Sequence, residues 1–185
     1  MQFSCFQLLG PRDAQEDAIF CFSSSAYSRF IVADGMGGHE KGEVASATAM
    51  DVLSKRDPMF SADAINRGFS DAHAAVRAIP FDGYRAPGTT CTMLELGDMN
   101  GYVVHIGDSR CYRVNDGELC CLTADHTSGR FLDKCLGSSE ESAPDIQWVH
   151  LDNGRRFLLC SDGLTNVLGD SEILKVMVES DTPQE

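Results

Sequence analysis

The chain has 185 residues, enough for one domain with a sizeable core, and its 43% hydrophobic and 23% charged content excludes a disordered or fibrous protein. A formal charge of −13 argues against nucleic acid or an anionic membrane surface as a partner. No apolar stretch is long enough to span a bilayer, and residues 1–9 lack the basic start and cleavage site of a signal peptide.

Phe3 to Leu9 is a short apolar run that predicts a strand, broken by Gly10-Pro11. Ala18 to Phe22 and Tyr27 to Ala33 predict two more strands, the latter ending at Asp34-Gly35-Met36-Gly37-Gly38. A helix is expected from Gly42 to Leu53, with Val44, Ala45, Thr48, Ala49 and Val52 on its apolar face. A second is expected from Ala62 to Ile79, capped by Ser61, with Ile65, Phe69, Ala72 and Val76 facing inward and His73 on the surface.

After Pro87-Gly88 the period shortens. Thr89 to Leu96, Gly101 to Ile106, Arg110 to Val114 and Glu118 to Leu122 read as consecutive strands, separated by turn signals at residues 97–100 and 115–117. Residues 127–145 read as mostly loop. Arg156 to Cys160 predicts a buried strand, and Ser171 to Val178 a helix capped by Asp170 or Ser171. This order predicts an α+β fold, antiparallel sheets with helices packed outside.

The eight cysteines show no C-x-x-C spacing and fall mostly in apolar runs. They are expected as free thiols in a reducing compartment, the cytoplasm. Trp148 is expected to pack, and His105 to be packed or hydrogen-bonded within its strand.

Three aspartates recur in one setting, at the end of an apolar strand and followed by Gly or Ser: Asp34, Asp108 and Asp162. One Asp-Gly at a strand end is ordinarily only a turn. Three of them, joined by Glu16-Asp17 and by Arg12, favour a site. If the strand ends meet, the crowded carboxylates need cations to neutralise them. Oxygen ligands suit hard ions such as Mg²⁺ or Mn²⁺, and two such ions about 3.5–4 Å apart activate a water between them. The Arg12 guanidinium can clamp two phosphate oxygens at once.

Six segments, in order, then resemble the metal-dependent Ser/Thr protein phosphatases of type 2C, bacterial branch. They are Arg12-Asp13-Ala14-Gln15-Glu16-Asp17-Ala18, Asp34-Gly35-Met36-Gly37-Gly38-His39 with Gly42-Glu43-Val44-Ala45-Ser46, Gly88-Thr89-Thr90, Gly107-Asp108-Ser109-Arg110-Cys111-Tyr112, Leu122-Thr123-Ala124-Asp125-His126 and Leu159-Cys160-Ser161-Asp162-Gly163-Leu164. The resemblance implies a four-layer αββα sandwich of two antiparallel sheets flanked by helices. It implies that Asp34 bridges two metal ions, that the Gly35 carbonyl and Asp162 bind them, and that Asp108 supports a third, weaker one. Glu16 and Asp17 would bind directly or hold metal-bound waters, and Arg12 would hold the substrate phosphate.

The resemblance also implies phosphorylated protein substrates, the targets of a Ser/Thr kinase, and a monomer. Residues 1–185 are expected to form a single phosphatase-like domain short of the family's C-terminal strand and its metal-site aspartate. A catalytically weak phosphoprotein-binding module of the same fold is the alternative. Met36 stands where some relatives carry a histidine proposed as general acid. His39, nearby in the loop, is a lesser candidate for that role.

Overall fold

The computed structural model describes residues 1–36, 41–83, 85–129, 131–138, 143–151, 156–180 and 182–183. Strands β1 (Asp17–Ser23) and β2 (Ser28–Asp34) lead into helices α1 (Gly42–Ser54) and α2 (Ala62–Arg77). Strands β3 (Cys91–Leu96), β4 (Asn100–Ile106), β5 (Arg110–Asn115) and β6 (Glu118–Cys121) follow. Then come the short pair β7 (Thr127–Ser128) and β8 (Phe131–Leu132), strands β9 (Asp145–His150) and β10 (Arg156–Cys160), and helices α3 (Asp162–Thr165) and α4 (Asp170–Glu179).

The strands form two main antiparallel sheets, one ordered β1-β2-β3-β4-β9 and one ordered β10-β5-β6. Side chains alternate across a strand, so a strand with apolar residues at both parities buries both faces. Ile31 and Ala33, Cys91 and Met93, and Val104 and Ile106 face α1 and α2. Phe30, Leu94, Leu96 and Val103 face the smaller sheet, where Cys111, Phe157 and Leu159 meet them. On the far side, Tyr112, Leu158 and Cys160 pack with Ile173 and Met177 of α4. Helices, sheet, sheet and helices therefore stack as the αββα sandwich the resemblance implied.

One buried ion pair locks the larger sheet to the helical layer. Arg29 on β2 and Glu95 on β3 are register partners, both fully buried. Arg29 Nε and Nη2 donate to the two Glu95 oxygens at 2.6 and 2.9 Å. Its remaining donors reach the carbonyls of Leu53, Arg56 and Asp57 at the end of α1. The Met59 amide donates to Glu95 as well, at 3.0 Å.

Several expectations need correcting. Phe3 to Leu9 is not a strand. It runs as an arm over β1, with Phe3 edge-on to Phe30 at 5.3 Å and Gln7 donating to the Asp17 carbonyl at 2.9 Å. Phe6 and Leu8 are exposed because no second strand covers them. The buried face of α1 is turned from the expected one: Val44 is exposed, while Ser46 is buried because its hydroxyl donates to the Glu16 carbonyl at 2.6 Å.

The second helix ends at Arg77, two residues earlier than expected, while Ser61 caps it by accepting from the Ala64 amide. His73 is buried, its Nδ1 accepting from the Gly137 amide at 3.3 Å. Residues 127–145 hold a small hairpin and the start of β9. That strand hydrogen-bonds to β4 at the sheet edge and leaves Trp148 54% exposed instead of packed. Gly169 caps α4, in place of Asp170 or Ser171, with its amide donating to Glu172. Among the described residues no helix is long and apolar enough to cross a membrane.

Candidate active site at the seam between the sheets

Asp34 is the last residue of β2, and Asp17, the first of β1, is its register partner. Asp162 opens α3 just after β10, and Asp108 sits in the turn from β4 to β5. Two of these carboxylates thus come from the larger sheet and two from segments bordering the smaller one. Ser161 crosses the seam, its hydroxyl donating to Asp17 Oδ2 at 3.0 Å.

The four carboxylates feel one another. Burial pushes the Asp34 carboxyl up to about 8, and the charges of Asp17, Asp162 and Asp108 push the same way. Burial also raises Asp108, with Asp162 and Asp125 adding to the shift and Arg110 opposing it. Yet among the described residues no three acidic, His or Cys side chains converge tightly enough to enclose an ion as they stand. The Asp34 and Asp17 carboxyls do lie close enough to share a hydrogen bond, which raises Asp34 further.

The turn after β2 is built for close approach. The Gly35 amide donates to the Glu16 carbonyl at 3.0 Å. A Cβ on Gly35 would meet the Gly42 carbonyl oxygen at 2.2 Å and that of Glu16 at 2.7 Å, so no side chain fits there. This packing holds Glu16 beside α1, with its Oε1 close to Gly42. Arg12 lies in solvent, with Nη1 3.9 Å from Glu16 Oε2 and most of its fork open. His39 lies outside the described residues.

Behind the carboxylates runs a network the sequence did not disclose. The Asp34 amide donates to Thr90 Oγ1 at 3.0 Å, and Thr90 Oγ1 meets Ser109 Oγ at 2.7 Å. Thr92 donates to the Ser109 carbonyl at 2.7 Å and contacts His105 Nδ1 at 3.0 Å. His105 is pushed down to about 4 by burial and by the His126 ring stacked on it at 4.8 Å, so it is neutral at neutral pH. Arg110 grips both oxygens of Asp125 and bonds the Tyr112 hydroxyl, which donates to Asp170 at the start of α4. Asp125 and His126 thus serve the architecture.

The donor set on offer is carboxylate and carbonyl oxygen, which fits a hard divalent ion and not a soft one. The raised Asp34 carboxyl is the mark of a place short of positive charge.

Residues 12–180 match the family Protein phosphatase 2C. The chain belongs to that family and is a protein serine/threonine phosphatase. It is 31% identical over 181 residues to protein phosphatase PhpP of Streptococcus pneumoniae, covering 83% of this chain and 73% of that protein. It is 33% identical over 193 residues to serine/threonine protein phosphatase PstP of Mycobacterium tuberculosis, covering 90% of this chain but only 36% of PstP. Among solved structures, a bacterial serine phosphatase superposes with a TM-score of 0.83 at 26% identity, covering 95% of this chain and 83% of that one. The catalytic domain of PstP, solved with two manganese ions, superposes with a TM-score of 0.74 at 31% identity, covering 94% and 82%.

Proposed function

We propose that this chain hydrolyses phosphoserine and phosphothreonine in proteins at the seam between its sheets, using divalent ions held by Asp34, Asp162 and the Gly35 carbonyl. The observation that carries this reading is the Asp34 carboxyl, raised to about 8 by burial and by three neighbouring carboxylates. Such a cluster is costly unless cations neutralise it. Mn²⁺ or Mg²⁺, two ions with room for a third at Asp108, would do so. When bound, the ions supply a water made nucleophilic at neutral pH and offset the charge that develops on the phosphate.

The chain's own groups do the rest. Arg12, exposed and held at one end by Glu16, offers its fork to the phosphate oxygens. Glu16 and Asp17 would bind the ions directly or accept hydrogen bonds from the waters on them. Ser161 holds Asp17 in place from across the seam. Met36 carries no exchangeable proton on its side chain, so it takes no part in proton transfer. The substrates assigned by this reading are targets of a Ser/Thr kinase in the cytoplasm, met by a monomer. The eight free thiols suit that compartment.

The test is hydrolysis of p-nitrophenyl phosphate and of a phosphothreonine peptide, with Mn²⁺, with EDTA, and by Asp34→Asn. Removing the metal or its central ligand is expected to lower the rate about 100-fold or more, since several kcal/mol of charge stabilisation go with it. Equal rates in all three arms would overturn the reading. Tight binding of the peptide without phosphate release would favour the binding module instead.

A further inference from the structure

The geometry points to Thr90 and Ser109 as positioning residues that set the spacing of the Asp34 and Asp108 carboxylates across the seam. This inference rests on the metal-site reading above and deepens it.

Thr90 is tied to Asp34 on both sides of its backbone. Its amide donates to the Asp34 carbonyl at 2.9 Å, and its hydroxyl accepts from the Asp34 amide at 3.0 Å. Thr89 adds a third bond, its hydroxyl donating to the same carbonyl at 2.9 Å. The last residue of β2 is therefore held by the two residues that precede β3.

The same Thr90 side chain bears on both neighbours of Asp108. On one side its hydroxyl bonds the Ser109 hydroxyl at 2.7 Å. On the other, Gly107 lies flat against it at φ +110°, where a Cβ would meet Thr90 Cβ at 2.5 Å and Cγ2 at 2.6 Å. A residue with a side chain could not take that backbone angle without strain or that contact without pushing Thr90 away. Thr90 and Ser109 are almost wholly buried, so water cannot replace either partner at low cost. Thr92 holds the Ser109 carbonyl from the next inward-facing position of β3.

One buried side chain thus touches the backbone of one strand-end aspartate and both flanking residues of another. Asp34 ends β2 of the larger sheet, while Asp108 lies in the turn by which the chain leaves β4 of that sheet for β5 of the smaller one, beyond the last paired residues of the ladder. A hydroxyl bridge at 2.7 Å fixes their separation within a narrow range. Thr90 touches neither substrate nor ion. It acts by holding the turn that carries Asp108 at a set distance from the end of β2.

The experiment measures Mn²⁺ affinity of the full chain by the electron paramagnetic resonance signal of free Mn²⁺. In parallel it follows p-nitrophenyl phosphate hydrolysis against Mn²⁺ and against substrate. Thr90→Val keeps the shape and removes the hydroxyl. Ser109→Ala removes the other half of the bridge and leaves the Asp34 amide bonded. Both are expected to weaken Mn²⁺ binding by roughly 10–100-fold, the usual effect of losing a group that orients a ligand. The Mn²⁺ concentration for half-maximal activity rises in step, while KM for substrate at saturating Mn²⁺ stays unchanged. Thr90→Ser, which restores the hydroxyl, recovers wild-type affinity.

Unchanged Mn²⁺ affinity in Thr90→Val and Ser109→Ala overturns the inference, as does a Thr90→Ser variant no better than Thr90→Val. If Thr90→Val does not fold, Ser109→Ala decides alone. Wild-type chain that binds no Mn²⁺, or an Asp34→Asn variant that binds it equally well, overturns the metal-site reading and this inference together.

Discussion

Replacing Glu95 by alanine is expected to lower the unfolding free energy by about 3–5 kcal/mol, measured by urea denaturation. Glu95 and Arg29 are both fully buried. Truncating the carboxylate leaves a guanidinium in the core with two of its donors unpaired, and leaves the Met59 amide without its acceptor. A buried charge without a partner costs far more than the pair itself contributes.

Arg29→Met is expected to cost a similar amount for a different reason. It strands the Glu95 carboxylate and also frees the carbonyls of Leu53, Arg56 and Asp57 at the end of α1. The double variant should therefore cost less than the sum of the single ones, because each single loss includes the penalty of the abandoned charge. Additive losses would show that the two residues act independently.

In EDTA, the chain is expected to lose stability as pH rises from about 4 to about 8. The Asp34 carboxyl has an ordinary value of 3.8 when unfolded and about 8 when folded. Across that window the folded state holds more protons than the unfolded one, so stability falls with rising pH. The contribution is fully present below the unfolded value and gone above the folded one.

The size is on the order of a few kcal/mol, because several carboxylates share the repulsion. Urea midpoints at pH 5 and pH 8 measure it, with Asp34→Asn as the reference that cancels all other titrating groups. At pH 8 in EDTA the variant should be the more stable protein. Mn²⁺ should reverse the order by stabilising the wild type alone. A wild type that gains stability over the variant as pH rises would contradict the proximity of these charges.

Which parts were legible in the sequence follows from what each signal measures. Asp34, Asp108 and Asp162 stood out because a strand end followed by Gly or Ser is a local pattern, and the structure brings these residues within electrostatic range. Ile65, Phe69, Ala72 and Val76 were readable because helical spacing alone puts them on one face, and all four are buried.

The misses depended on partners far along the chain. Phe3 to Leu9 has the composition of a strand, but a strand also needs a neighbour, and the segment settles as an arm on β1. Strand β9 follows a weakly patterned stretch and carries mostly polar or exposed residues, so periodicity gave it little weight. His73 read as a surface residue because its donor, the Gly137 amide, lies 64 positions away, and Ser46 was left off the apolar face of α1 because its acceptor, the Glu16 carbonyl, lies 30 positions away. Arg29 and Glu95 are the extreme case, two charges in strands whose burial makes sense only as a pair.

The exposed Trp148 bears on how this protein can be watched. It is the only tryptophan, placed on the edge strand β9 and stacked on His150 at 5.8 Å. About half of its surface is already in water while the protein is folded, so global unfolding should move its emission less than it would for a buried tryptophan. Intrinsic fluorescence would then under-report denaturation, and circular dichroism or the environment of the fully buried Tyr112 would be the sounder probe. The same emission becomes a clean optical reporter for anything that docks against the β9 edge.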